Sequence, residues 1–106
     1  MILVTSENIS GYKIKKTIGL VKGSCIKAKH IGRDIGALLK NIVGGELKGY
    51  RELLDEARKS ALERLIAEAE ERGANAVISL RFATSSIMAG ASEILAYGTA
   101  VVIEEE

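Results

Sequence analysis

Residues 50–73, YRELLDEARKSALERLIAEAEERG, run directly into two further segments, NAVISLRFA at 75–83 and EILAYGTAVVI at 93–103. In the first, Leu54, Ala57, Ala61, Leu62, Leu65, Ile66 and Ala69 recur at the three-to-four spacing of an amphipathic helix. Glu52, Asp55, Glu56, Glu63, Glu70 and Glu71 lie outside that arc. Gly73 is suited to the left-handed conformation that closes a helix. The other two segments alternate with period two, as strands do. In 75–83, Ile78, Leu80 and Phe82 fall on one side and Val77, Ser79 and Arg81 on the other. Together these segments predict an α+β domain, a two-layer α/β sandwich with an antiparallel or mixed sheet. The helix is expected to pack through Leu54, Ala61, Leu65 and Ile66 against Ile78, Leu80 and Phe82. The small residues of 84–91, TSSIMAGA, read as a loop between the strands.

Working outward, residues 1–5 predict a short strand and 7–11 a turn. Residues 12–29 alternate again and predict one long strand or a bent pair. Ile14, Ile18, Leu20 and Ile26 form its apolar face, opposite Lys13, Lys15, Thr17, Val21, Cys25, Lys27 and Lys29. Gly19 and Gly23 suit a bend or bulge. In 30–43 the period changes: Ile31, Ile35, Leu38, Leu39 and Ile42 predict a short helix, stopped by Gly44-Gly45. The last strand is apolar or small on both faces. Leu95, Tyr97, Thr99, Val101 and Ile103 alternate with Ile94, Ala96, Ala100 and Val102. Such a strand must be covered on both faces. One long helix covers one side, so the other predicts a second copy of the chain. A closed homo-oligomer is the expectation, with Ile35, Leu39, Tyr97 and Val101 among its contacts.

A chain of 106 residues is one domain, 1–106. Aromatic residues are only 4% of it, so the core is built from Ile, Leu, Val and Ala. Fifteen basic and 14 acidic residues give a net charge of +1, which argues against a nucleic-acid partner. The lysines at 13, 15, 16, 22, 27 and 29 and the terminal Glu104, Glu105 and Glu106 read as a solvated face and an acidic tail. A single cysteine excludes an internal disulfide. The N-terminus lacks the basic and apolar regions of a secretory signal. No apolar run approaches the roughly 20 residues that span a bilayer. The expectation is a cytoplasmic protein with no membrane partner.

The strings GANAVISLRF and EILAYGTAVVI, a helix carrying Tyr50, Arg58 and Ala61, and the turn Gly44-Gly45-Glu46-Leu47 resemble the YbjQ family over essentially the whole chain. That family is labelled for heavy-metal binding. The resemblance implies a fold related to the dodecin subunit, assembled as a ring-shaped pentamer. It implies no established activity.

Cys25 and His30 are the one cysteine and one histidine of the chain. They are the candidate ligands for a transition metal, with Met1 and Met88 as further soft donors. A closed zinc site takes four ligands, so symmetry in an oligomer would have to complete it. Arg58 lies within the apolar arc of the helix, near Leu54, Leu62 and Leu65. Buried there, it needs a carboxylate. Glu93 is the first choice and Glu46 the second, while an anion-binding role is the functional alternative. Gly44-Gly45 lacks the spacing of a phosphate loop and follows a helix rather than a strand. Glu46, Asp55 and Glu56 have no paired nucleophile, and His30 has no Ser or Cys at catalytic register. The reading is therefore not an enzyme and calls for no organic cofactor.

Overall fold

The computed structural model describes residues 1–28, 48–88 and 91–106. Its one described helix, α1, spans Lys48–Glu71 and ends as the sequence predicts. Gly73 adopts φ +87°, its amide donates to Glu70 O, and the Ala74 amide reaches back to Ala69 O. That pair of bonds satisfies carbonyls the last turn would otherwise leave open. Ala57, Ala61, Leu65 and Ala69 are fully buried along α1. Three of the four are alanines, so the helix backbone can approach the sheet closely.

The sheet has the order β1-β3-β4-β2. β1 (Ile2–Leu3) runs parallel to β3 (Ala76–Met88), while β4 (Ala91–Glu105) pairs antiparallel with both β3 and β2 (Tyr12–Ala28). The fold is thus α+β, with one helix on a four-stranded mixed sheet among the described residues. The short helix predicted for 30–43 lies outside the described residues. Residues 84–88, expected in a loop, instead continue β3 and pair with β4 as far as Met88 opposite Ala91. Thr84 and Ile87 favour an extended chain, and no glycine or proline interrupts the run before Gly90.

Two strand faces differ from the alternation read in the sequence. In β3, Ser79 takes φ +53°, and the register jumps from Ile78 opposite Thr99 to Arg81 opposite Tyr97. This bulge puts Val77 and Leu80 in the core under α1 and Ile78 in a second core on the far face. Gly98 makes room for it, since a β-carbon there would stand 2.7 Å from Val77 Cγ1. Phe82 shares the helix side with its partner Ala96 but is 45% exposed, because α1 lies over β2 and β4. In β2, Val21 and Cys25 are buried, whereas Leu20 and Ile26 are 63% and 60% exposed. Ile14, Leu20 and Ile26, three of the four residues predicted for the buried face, are therefore exposed, while Ile18, at the register shift between Thr17 and Gly19, packs against the core. Gly23, between Val21 and Cys25, offers the helix a side of β2 without a protruding side chain.

The second core covers one end of the far face from within the chain. Ile2, Val4, Ile9 and Tyr12 pack on Ala76, Ile78, Val101 and Ile103. The N-terminal segment is held by bonds between Val4 and both Val77 and Leu80, by Ser79 N–H to Ser6 O at 2.9 Å, and by Arg81 Nη1 to Thr5 O at 2.8 Å. Asn75 closes the same end. Its side-chain amide donates to Ile103 O and accepts from Ile103 N–H, at 2.9 and 2.8 Å. The Cα radius of gyration is 17.2 Å. A compact domain of this length would have about 13 Å.

Candidate functional site

The site is built where α1 crosses β2. A β-carbon on Gly23 would lie 2.2 Å from Ala61 O and 2.3 Å from Leu65 N, so strand and helix backbones touch there. Side chains on the flank of α1 consequently reach the outer edge of β2, where no strand pairs among the described residues. In an antiparallel strand, alternate residues turn both N–H and C=O away from the partner. Arg64, Glu68 and Arg72, spaced four apart, meet these groups in turn. Arg64 Nη1 donates to Ser24 O. The Lys22 amide donates to Glu68 Oε2 at 3.4 Å. Arg72 donates to Leu20 O at 2.6 Å and to Ile18 O at 3.4 Å, with Glu68 4.0 Å from its Nη1.

Beside this row lies an open groove of about 680 Å³, lined by Lys22, Gly23, Ser24, Arg64, Glu68, Glu93 and Leu95. Its volume falls in the range of ligand sites. Its charges are mixed, two cations and two carboxylates, unlike the concentrated donors of a phosphate cradle. Sequence reasoning missed Arg64, Glu68 and Arg72. The signal was a polar i, i+4, i+8 row bordering the apolar arc, which reads as a solvated flank until a strand edge is known to lie beneath it.

The predicted site residues fare differently. Cys25 is 4% exposed and packs in the core with Val21, Leu65 and Ile94. The residues it packs with in that core are apolar and offer no second ligand for an ion. Among the described residues, no group of three His, Cys, Asp or Glu side chains stands close enough to hold an ion. His30, Ile35, Leu39 and Glu46 lie outside the described residues.

The expected buried Arg58–Glu93 pair is corrected. Arg58 is half exposed and pairs with Asp55 in its own helix at 3.0 Å. The buried row of α1 steps by four residues, which drifts about 40° round the helix at each step. At the level of Arg58 the sheet lies under Ala57, roughly 100° away. Glu93 instead lines the groove, opposite Ile26 on β2 and Ser85 on β3. Val101 is corrected as an oligomer contact. It is fully buried by the chain's own second core. Tyr97 is partly buried on the far face, opposite Lys22 and Arg81.

Comparison with known proteins accords with this architecture. A family model described as "Putative heavy-metal-binding" matches residues 1–104. A UPF0145 protein of Clostridioides difficile is 58% identical over 106 residues, covering 100% of this chain and 95% of that one. Another, from Dehalococcoides mccartyi, is 58% identical over 104 residues, covering 98% and 100%. These names state no activity. A crystal structure of a protein of unknown function in the DUF74 family, from Pediococcus pentosaceus, superimposes with a TM-score of 0.68 at 18% identity and 98% coverage of both chains. At that identity the likeness speaks for the fold alone.

Proposed function

The chain belongs to the YbjQ family, and from that premise we propose that it is a non-enzymatic binding or scaffold module that works as a ring-forming homo-oligomer. The observation that carries this reading is the far face of the sheet. The N-terminal segment covers its Val101–Ile103 end, while Leu20 and Ile26 stay more than half exposed farther along β2. Exposed aliphatic residues beside a long strand edge suit burial against another copy. A closed ring hides such a face without leaving an end that can grow. The pentamer comes from the family resemblance, and Tyr97 remains a proposed contact. Arg64 and Glu68 are engaged with strand backbone, which favours a structural use of the groove over acid–base chemistry. Sedimentation at low micromolar concentration tests the assembly.

The family's description supports a second reading, heavy-metal binding through Cys25 and His30. The burial of Cys25 weighs against it. Zinc or copper titration of the protein and its Cys25→Ser variant separates the two readings.

A further inference from the structure

β2 is an edge strand of 17 residues. Strand edges of that length are templates for pairing with other chains, and proteins blunt them with charges or cover. Here the cover is specific. Arg64, Glu68 and Arg72 supply donor, acceptor and donor to the outward groups of Ser24, Lys22, Leu20 and Ile18. They stand in for the backbone of a neighbouring strand. The row stops one helical turn before Arg64, where position 60 is a serine, too short to continue it. Residues 26–28 follow with no edge partner among the described residues, beside an Ile26 that is 60% exposed. The opposite edge of the sheet is similar. β1 pairs with β3 only at Ala76 and Val77, and beyond Leu80 the outer edge of β3 has no strand partner among the described residues. Phe82, Ile87 and Met88 are 45–65% exposed along it.

Resting on the assembly reading, we propose that Arg64, Glu68 and Arg72 are a strand-edge cap that decides where a second copy of this chain adds. They close residues 18–24 of β2 to strand addition. Residues 26–28 are left to receive the uncapped edge of β3 from a second copy. Because the two edges differ, the contact is head-to-tail, the kind that closes into a ring when its rotation allows and grows into a filament when it does not. The cap restricts the contact to one register.

The test is sedimentation velocity with circular dichroism on three variants. Arg64→Ala/Glu68→Ala/Arg72→Ala should remain folded and form polydisperse species larger than the wild type. Arg64→Lys/Glu68→Gln/Arg72→Lys, which keeps donors and an acceptor, should keep the wild-type size. Ile26→Pro removes one outward N–H without touching the β2–β4 ladder and should shift the assembly toward the 11.3 kDa chain. A folded alanine variant of wild-type size overturns the cap, as does a Lys/Gln variant that polymerises in the same way. A folded Ile26→Pro variant of wild-type size overturns the contact at 26–28. If the alanine variant does not fold, the Ile26→Pro result decides. A wild type that sediments as a monomer defeats the assembly reading and the contact at 26–28 with it. The cap then stands if the alanine variant self-associates and falls if that variant stays monomeric.

Discussion

Gly23 of β2 and Ala61 of α1 meet backbone to backbone, with no space between them for a side chain. This contact sets how near the helix lies to the strand edge, and hence whether Arg64, Glu68 and Arg72 can reach it. Gly23→Ala would place a β-carbon 2.2 Å from the Ala61 carbonyl oxygen, and neither backbone can yield locally. Overpacking of this kind costs about 1–3 kcal/mol or more. Chemical denaturation should show at least that loss. Gly98→Ala, whose β-carbon would stand 2.7 Å from Val77 Cγ1 and 3.0 Å from Ile78 O, meets less severe overlaps and should lose less. Equal losses at the two positions would contradict the assigned helix–strand contact.

Leu65 is the largest fully buried side chain of the helix. Leu65→Ala should cost about 2–5 kcal/mol. The exposed Arg58–Asp55 pair is of another kind, and i, i+3 pairs on helices contribute about 0.2–0.5 kcal/mol. Arg58→Met should therefore change stability only slightly. A loss of several kcal/mol in that variant would mean that the arginine is buried in the working assembly.

Asn75 completes the β3–β4 end with two hydrogen bonds to Ile103. Asn75→Ala leaves both Ile103 backbone groups without these partners and should destabilise by about 1–3 kcal/mol. Asn75→Asp keeps the acceptor for Ile103 N–H but sets a carboxylate against Ile103 O, so it should not restore stability at neutral pH. Hydrogen exchange at the Ile103 amide is a local readout, and protection should fall in the alanine variant.

The burial of Cys25 predicts that Cys25→Ser leaves metal uptake unchanged. Isothermal titration with zinc, run on both proteins, should give the same stoichiometry. Loss of a site in the variant would favour the metal-binding reading.

The helix, its glycine stop and the last strand were legible because their periods are long and clean. The double apolar character of residues 94–103 implied cover on both faces, and within the chain the helix side and one end of the far face are covered. It could not reveal that Ile2, Val4, Ile9 and Tyr12 supply part of that cover. The facing of β2 was misread because alternation weighs side-chain size, whereas Gly23 decides the helix side by having no side chain. A single bulge at Ser79 moved Ile78 away from Leu80, and period-two reading assumes that no bulge intervenes. The edge cap was hidden because Arg64, Glu68 and Arg72 are ordinary helix-surface residues until the strand beneath them is placed.

Native mass spectrometry of the protein at low micromolar concentration tests the central claim of self-assembly most directly. A single closed species at a fixed multiple of the 11.3 kDa chain is predicted, with five copies expected from the family resemblance. A lone 11.3 kDa monomer would contradict it, and so would an open ladder of ever-larger species.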